Sequence, residues 1–211
     1  MALHDCHVGL IDYDAGNIRS IENALDHLGA RFARVRAAGD LAGMTHLLLP
    51  GVGAFGHCAG QLAATGLVPH LSRWAIDEGR PLLGICVGMQ LLADTGEEQG
   101  IHRGLGLIGG TVAALVPAPP EVRVPHVGWN TVTFADAFGG FAPGDAADFY
   151  FDHSYAYGDP VHGTVLGTAE HGTRFAAIVR RGKLIGAQFH PEKSQAAGLK
   201  FLRGFLELPP C

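Results

Sequence analysis

Apolar and polar residues follow one another along the first half of the chain with two different periods. Short runs that are apolar throughout predict buried strands, and apolar residues that recur every three or four positions predict amphipathic helices. Buried strands are predicted at residues 8–11, 46–49 and 81–83, and a short strand that contains two arginines is predicted at 31–35. Helices are predicted to begin near Ile18 and Leu67.

Both predicted helices have recognisable ends. The first follows the turn Asp14-Ala15-Gly16-Asn17, whose polar side chains are typical helix caps, and it stops at Gly29. The second has apolar residues at positions 67, 71, 74 and 75 and stops at Gly79. Strands that are apolar throughout and alternate with helices favour a mostly parallel central sheet with helices on both faces. The expected fold class is therefore α/β.

After about residue 105 the pattern changes to short apolar runs separated by Gly, Pro and Asp. These runs predict strands at 112–116, 122–127, 131–134, 149–155, 164–169, 175–180 and 183–189. Arg181-Gly182 is typical of a hairpin tip, so we expect antiparallel strands added to the parallel core in this half. An amphipathic helix is predicted at 198–208.

Composition excludes several classes of protein. With 47% hydrophobic and 17% charged residues among 211, the chain is too apolar for a disordered protein, and one domain spanning residues 1–211 is the simplest expectation. A net charge of −5 without a basic run gives no footprint for nucleic acid. No apolar stretch approaches the roughly 18 residues of a spanning helix, so no membrane segment is expected.

The four cysteines, at positions 6, 58, 86 and 211, are too scattered for a disulfide framework or a structural zinc site. We therefore expect reduced thiols and, because the start lacks a basic region followed by an apolar one, a cytoplasmic protein. His4, Cys6 and His7 lie close together, but we favour a frayed lead-in to the first strand over a metal site there. Neither a metal nor another cofactor is expected.

The stretch Gly84-Ile85-Cys86-Val87-Gly88-Met89-Gln90 lies between two apolar runs and predicts a strand, a sharp turn and a helix. A cysteine at such a turn lies at the carboxyl edge of the sheet, near free N–H groups and the positive end of a helix dipole, which favour a thiolate. Glycines on both sides permit the tight turn that an exposed nucleophile needs. The competing interpretation is a buried structural cysteine.

A cysteine nucleophile needs a base and a group that orients the base. Phe189-His190-Pro191-Glu192, after a predicted strand, supplies both, because residues i and i+2 of an extended segment point the same way. A surface ion pair is the competing interpretation.

Pro50-Gly51-Val52-Gly53 follows another strand, and its backbone N–H groups suit a tetrahedral oxyanion, although an ordinary turn is equally compatible with so short a motif.

Several motifs together resemble the class I (triad) glutamine amidotransferases and, within them, the glutaminase subunits of imidazole glycerol phosphate synthase. The resemblance runs nearly from end to end, with its motifs in one order. Besides the cysteine turn, the motifs are Tyr13-Asp14-Ala15-Gly16-Asn17, Pro50-Gly51-Val52-Gly53-Ala54-Phe55, Pro125-His126-Val127-Gly128-Trp129-Asn130, His153-Ser154-Tyr155 and Gln188-Phe189-His190-Pro191-Glu192-Lys193-Ser194. This family implies a flavodoxin-like α/β fold.

The resemblance also implies roles for individual residues. Cys86 would attack the side-chain amide of glutamine, His190 would move the proton to departing ammonia, and Glu192 would orient His190. Oxyanion donors would come from Val52, Gly53 and Val87. The glutamine-binding positions would be Gly53, Gln90, Glu98, His153, Ser154 and Tyr155.

Two positions complicate this assignment. Asp152 stands where the family is expected to have an apolar residue, and Glu97 beside Glu98 leaves the acidic contact open to a one-residue error. Gln90 has independent support, because it follows Cys86 by four residues and a helix would place both on one face.

The family further implies a partner, a (β/α)₈ cyclase subunit that would use the ammonia to make imidazole glycerol phosphate and an aminoimidazole carboxamide nucleotide. Asn17, Trp129 and Lys193 are expected to face that barrel. Two alternatives remain at this stage: another triad amidotransferase such as the pyridoxal phosphate synthase glutaminase, which Val52 and the Trp129 motif disfavour, and a non-catalytic scaffold on the same fold.

Overall fold

The computed structural model describes residues 6–116, 122–158 and 162–210. Residues 1–5, 117–121, 159–161 and Cys211 lie outside the described residues. Within them, the strands form a main sheet of nine and a second sheet of four. The α/β fold class is confirmed.

The main sheet has the strand order β2-β1-β3-β4-β13-β12-β11-β8-β9. The first five strands of this order run parallel, and the last four pair antiparallel. Its strands are β1 (His7–Ile11), β2 (Arg31–Val35), β3 (His46–Leu49), β4 (Leu82–Ile85), β8 (His126–Phe134), β9 (Ala146–His153), β11 (Val165–Glu170), β12 (Arg174–Arg181) and β13 (Leu184–Ala187).

The smaller sheet has the order β10-β7-β5-β6 and lies after the cysteine turn in the chain. Its strands are β5 (Thr95–Gly96), β6 (His102–Arg103), β7 (Thr111–Ala114) and β10 (Tyr155–Tyr157). The helices are α1 (Ile18–Leu28), α2 (Phe55–Ala64), α3 (Val68–Ser72), α4 (Val87–Gln90) and α5 (Gln195–Leu206), with a π-helical turn at Arg73–Asp77 and 3₁₀ turns at Ala38–Leu41 and Pro191–Lys193. No helix of the described residues is long and apolar enough to cross a membrane.

The end signals of α1 are confirmed. The side chain of Asn17 accepts a hydrogen bond from the Ser20 N–H, and Gly29 adopts a left-handed conformation with φ 70°. Strands β3, β4 and β13 are buried along their whole length, as parallel strands covered on both faces must be. Local polarity and single-residue preferences therefore account for the ends of α1 and for the burial of these strands.

One predicted strand takes a different place from the one expected. The run at 183–189 was expected among the antiparallel additions, but β13 pairs parallel with β4 and antiparallel with β12. It therefore extends the parallel core. Because β4 and β13 are neighbours that run the same way, the residues after each strand meet at one edge of the sheet.

Two other expectations about strands were wrong in detail, and one helix was not predicted. Only the last two residues of the run at 122–127 are in a strand: β8 starts at His126, because Pro125 has no N–H to pair, and continues without a break through 131–134. The run at 149–155 divides at Ser154, where the chain passes from β9 in the main sheet to β10 in the smaller one. Helix α2 was not predicted, because glycines interrupt its short apolar stripe.

Candidate active site

Cys86 lies at the turn between β4 and α4 and is 3% exposed. Its φ of 54° and ψ of −114° fall in a region that residues other than glycine rarely adopt. The turn is held by a hydrogen bond of 2.8 Å from the Cys86 N–H to the carbonyl of Ala187 at the end of β13. The strained backbone thus presents the thiol at the carboxyl edge of the parallel strands.

Glycine is required on both sides of this turn. A Cβ at Gly88 would lie 1.8 Å from the carbonyl oxygen of Leu49, and one at Gly84 would lie 2.5 Å from the carbonyl oxygen of Gly88. Both neighbours are backbone atoms that cannot move aside independently. The two glycines therefore let α4 pack directly against β3 and β4.

His190 and Glu192 lie close together beside this turn. The Nδ1 atom of His190 is 2.8 Å from Oε1 of Glu192, and the two side chains are 4% and 1% exposed. The His190 N–H also donates to the carbonyl of Tyr150 on β9. An extended segment was expected here, but a 3₁₀ turn begins at Pro191 and brings Glu192 back to the imidazole.

Three influences act on the pKa of His190. Burial lowers it, while hydrogen bonds and charge interactions with Cys86 and Glu192 raise it, and together they raise the pKa to about 10. Since Nδ1 is bound to Glu192, Nε2 is the nitrogen left to face the thiol. The raised pKa favours an imidazolium that faces the thiol of Cys86, the candidate nucleophile.

The loop after β3 is held from beneath by two buried side chains. The hydroxyl of Tyr13 donates to the carbonyl of Pro50 at 2.6 Å, and the thiol of Cys58 donates to the carbonyl of Val52 at 3.6 Å. Burial is the main reason that the pKa of Tyr13 is raised and that of Cys58 is raised to about 11. Both groups therefore stay protonated and able to donate.

The expected oxyanion donors are not assembled in this structure. The N–H of Val87 donates to the carbonyl of Gly51 at 3.3 Å. In a trans peptide the C=O and the following N–H point in opposite directions, so the N–H of Val52 points away from Val87. A hole formed by these two donors requires rotation of the Gly51-Val52 peptide plane.

A cavity of about 320 Å³ opens beside Cys86, a size typical of small-molecule sites. It gathers every position expected to bind glutamine, the expected catalytic residues Cys86 and His190, and all three expected oxyanion residues. The lining residues are Val52, Gly53, Cys86, Val87, Gln90, Glu98, Pro125, Asp152, His153, Ser154, Tyr155, His190 and Lys193.

Gln90 and Gln188 form a buried polar pair behind Cys86. The Nε2 of Gln90 donates to the carbonyl of Tyr155 at 2.8 Å and to Oε1 of Gln188 at 3.1 Å. The Nε2 of Gln188 lies 3.8 Å from the Sγ of Cys86. The resemblance gave Gln188 no role, although its place in the histidine motif was the available signal.

Glu98 lines the cavity, whereas Glu97 is exposed and pairs through its backbone with β7. The Oε2 of Glu98 accepts a hydrogen bond of 2.7 Å from the N–H of Phe55, the first residue of α2. Glu98 thus holds the helix that follows the Pro50–Gly53 loop. Its second oxygen remains available to the cavity.

His153 lies at the cavity wall with both ring nitrogens engaged. Its Nδ1 is 2.9 Å from the carbonyl of Tyr155, and its Nε2 is 3.0 Å from Nδ1 of His126. Burial and neighbouring histidines lower the pKa of His153 to about 4 and that of His126 to about 3. Ser154 and Tyr155 lie where the chain passes between the sheets.

The residues expected to face a partner lie at different distances from the cavity mouth. Lys193 lines the cavity, with its Nζ 5.6 Å from the centre of the Tyr150 ring. Trp129 is 49% exposed and meets the same ring edge-on at 6.2 Å. Asn17 is exposed at the start of α1, where its side chain caps the helix.

Two doubtful positions can now be described. Asp152 lies at the cavity mouth on the outer face of β9, opposite Val127 of β8. His4 lies outside the described residues, and the thiol of Cys6 turns inward to the carbonyl of Leu206. Among the residues that the structure describes, no group of three or more His, Cys, Asp or Glu could hold a metal ion.

Comparison with known proteins agrees with this geometry. The model of the glutamine amidotransferase class-I family matches residues 9–207. The imidazole glycerol phosphate synthase subunits HisH of Zymomonas mobilis and Rhodospirillum rubrum are 48% and 45% identical to the chain over 208 and 214 residues. These matches cover 96% of this chain in both cases, and 96% and 99% of the relatives.

A longer relative and two solved structures complete the comparison. Arabidopsis thaliana has a chloroplastic imidazole glycerol phosphate synthase hisHF that is 42% identical over 204 residues, which are 34% of its length. The crystal structure of a glutamine amidotransferase covers 95% of this chain and 97% of its own with a TM-score of 0.74, at 23% identity. PurLQS from Thermotoga maritima gives a TM-score of 0.72 at 19% identity over 95% and 94%. These two structures share the fold.

Proposed function

Because this chain belongs to the class-I glutamine amidotransferase family, and within it to the HisH subunits of imidazole glycerol phosphate synthase, we propose that Cys86, His190 and Glu192 hydrolyse glutamine. The hydrolysis supplies ammonia to a cyclase in histidine biosynthesis. The observation that carries this assignment is the buried contact between His190 and Glu192 beside the strained Cys86 turn. The whole chain, residues 1–211, acts as one glutaminase domain in this proposal.

The reaction follows from the order of these groups. The Sγ of Cys86 attacks the side-chain carbonyl carbon of glutamine, and the negative charge moves to the carbonyl oxygen. The Nε2–H of His190 then protonates the amide nitrogen, so that ammonia departs and a thioester remains on Cys86. A water molecule that gives its proton to His190 attacks the thioester, which releases glutamate and regenerates the thiolate. Glu192 stabilises the imidazolium at Nδ1 throughout.

The lining of the cavity suits the two ends of free glutamine. We assign the second carboxylate oxygen of Glu98 to the substrate ammonium group, and the backbone at Gly53 and at 153–155 to its remaining polar groups. Gln90 stabilises the wall through the carbonyl of Tyr155. Removal of the Glu98 carboxylate is therefore expected to weaken glutamine binding more than it slows the chemical step.

The partner in this proposal is a (β/α)₈ cyclase subunit docked over the cavity mouth. Exposed apolar side chains rim the mouth at Val52, Val127 and Trp129, which are 49%, 55% and 49% exposed. Such a patch beside a charged residue, Lys193, is typical of an interaction surface. Ammonia released into neutral water is mostly protonated and loses its nucleophilicity, so direct transfer to the partner fits the chemistry. We propose a cytoplasmic location, because the four cysteines are scattered without the spacing of a disulfide framework.

The partner also acts on the rate in this proposal. The Gly51-Val52 peptide holds its carbonyl toward Val87, so the N–H groups of Val52 and Val87 cannot both serve the oxyanion until the peptide rotates. Because one oxyanion donor contributes roughly 10²–10³ in rate, hydrolysis by the isolated chain is expected to be slow. Docking of the cyclase with its nucleotide ligand would favour the rotated form.

Glutamate release is the experiment that tests this proposal. It would be measured with the chain alone, with the cyclase subunit, and with the cyclase and its nucleotide, in wild type and Cys86→Ser. We expect slow hydrolysis alone, a rise of roughly 10² or more with both additions, and none above background in Cys86→Ser. Full activity of the isolated chain would contradict the gating, and an active Cys86→Ser would contradict the nucleophile.

A further inference from the structure

A chain of hydrogen bonds runs from strand β8 to the cavity wall through two buried histidines. The side-chain amide nitrogen of Asn130 lies 3.1 Å from Nε2 of His126, whose Nδ1 lies 3.0 Å from Nε2 of His153. The Nδ1 of His153 is 2.9 Å from the carbonyl of Tyr155. His126 is 3% exposed and takes no part in the hydrolysis described above.

The group at the end of this hydrogen-bond chain determines which ring nitrogen of each histidine carries the proton. The carbonyl of Tyr155 accepts hydrogen bonds and cannot donate, so Nδ1 of His153 must carry the proton. The Nε2 of a neutral His153 is then an acceptor, so Nδ1 of His126 must be protonated. The Nε2 of His126 therefore accepts from Asn130. Every contact is satisfied when both rings are neutral and carry the proton on Nδ1.

The orientation of the Asn130 amide agrees independently with this assignment. Its nitrogen also donates to the carbonyl of Glu170 at 2.8 Å, and its oxygen accepts from the N–H of Thr131 at 2.8 Å. Turning the amide around would break both of these bonds. Asn130 thus presents an N–H, not a carbonyl, to His126.

The surroundings of His126 favour the neutral ring. It stacks on Phe151 with ring centres 4.7 Å apart and on His171 with ring centres 4.0 Å apart. The Nε2–H of His171 donates to the carbonyl of Arg123 at 2.8 Å. Burial, followed by the charges of His153 and His171, lowers the pKa of His126 to about 3, and Asp152 and His190 act on the charge of His153.

The end of this chain is a carbonyl that the cavity depends on. Tyr155 accepts from Gln90 as well as from His153, and Gln90 continues through Gln188 to the sulfur of Cys86. The bond from His153 to Tyr155 also spans the point where the chain leaves the main sheet. Fixing His153 therefore fixes the segment 153–155 that forms the cavity wall.

We propose that His126 is a positioning residue for glutamine binding: it holds His153 in the Nδ1–H form and thereby sets the backbone of residues 153–155. This role rests on the proposed glutaminase function of the same cavity. His126 touches neither the substrate nor the reacting atoms. Its loss is expected to raise KM for glutamine and to leave kcat nearly unchanged, because the wall contacts the substrate in the ground state and transition state alike.

Two substitutions of similar size separate this role from simple packing. In His126→Asn the amide nitrogen takes the place of Nδ1 and keeps the bond to His153, whereas in His126→Gln the amide group takes the place of Nε2 and loses that bond. We expect KM within about threefold of wild type for His126→Asn and roughly tenfold higher for His126→Gln, in the complex with the cyclase and its nucleotide. Equal KM values for the two variants would overturn the proposal.

The proton positions can be read directly in the wild-type chain. Nitrogen chemical shifts of the imidazole rings, measured by NMR at pH 7, are expected to show His126 and His153 neutral with the proton on Nδ1. A proton on Nε2 of His153, or a charged His126, would overturn the assignment even if a variant fails to fold. The NMR measurement does not depend on glutamine hydrolysis. A complex that hydrolyses no glutamine would therefore contradict the proposed function and would leave the assignment of the protons unaffected.

Discussion

Replacing Glu192 by glutamine tests whether Glu192 orients His190, which in our proposal transfers the proton. The carboxylate is buried, its Oε1 accepts from His190 at 2.8 Å, and its Oε2 has no hydrogen-bond partner among the described residues. Glutamine has the same shape and no charge. The glutamine amide can therefore take two orientations, and each orientation removes a different interaction of the carboxylate.

If the amide oxygen faces His190, the correct imidazole tautomer is kept, but a neutral bond replaces a charge-assisted one. That difference is about 1–2 kcal/mol, or roughly 5–30-fold in rate. The NH₂ group then occupies the unpartnered position of Oε2, which costs about 1–3 kcal/mol of folding stability. If the NH₂ group faces His190 instead, the imidazole carries its proton on Nε2 and cannot act as a base.

The comparison variant is His190→Ala, which removes the proton shuttle itself and is expected to cost roughly 10²–10⁴ in kcat. The assay is glutamate release in the presence of the cyclase and its nucleotide, with thermal unfolding as the control for folding. Glu192→Gln is expected to lose less kcat than His190→Ala and to melt a few degrees below wild type, at roughly 2–4 °C for each kcal/mol. A kcat loss at Glu192→Gln equal to or larger than that at His190→Ala would refute the assignment.

Two further predictions concern stability. Gly88→Ala places a Cβ 1.8 Å from a backbone oxygen, and we expect it to lower the free energy of unfolding in urea by more than about 3 kcal/mol. The control is Gly60→Ala in α2, whose Cβ would have nothing within 4 Å and which is expected to be neutral or to stabilise by up to about 1 kcal/mol. Equal effects of the two substitutions would contradict the packing at Gly88. The second prediction concerns His126 and His153, whose pKa values in the folded chain are about 3 and about 4. Their contribution to stability is fully present above pH 6.5 and is lost as the pH falls toward 4, because the unfolded chain then binds more protons than the folded one. His126→Asn is therefore expected to reduce the pH slope of the unfolding free energy in this range by up to about 1.4 kcal/mol per pH unit, and parallel curves for the two proteins would contradict the neutral histidine.

The features that were predictable from the sequence are those that depend on neighbouring residues. The strand, turn and helix around Cys86 follow from an apolar run and two flanking glycines. The Asn17 cap and the Gly29 stop of α1 follow from the conformational preferences of single residues. The reach of Glu192 to His190 was anticipated from their spacing, although a 3₁₀ turn rather than an extended segment produces it.

The features that were not predictable depend on pairings between distant segments. Nothing in residues 184–187 shows that they pair with β4 on one side and β12 on the other. The bond from Val87 to Gly51 joins two loops, and the bond from His126 to His153 joins two strands. Such contacts follow from the register of the assembled sheets, so a pattern along the chain does not contain them.

Chemical trapping of the nucleophile tests the central claim most directly. A glutamine analogue with an electrophilic carbon in place of the amide would be added to the complex with the cyclase, and the modified peptide would be identified by mass spectrometry. Cys58 is buried with its pKa raised to about 11, and Cys6 is buried against the carbonyl of Leu206, so neither is expected to react. We predict one adduct, on Cys86, that glutamine prevents in competition. An adduct on Cys6, Cys58 or Cys211, or continued glutamine hydrolysis after full modification of Cys86, would contradict the account.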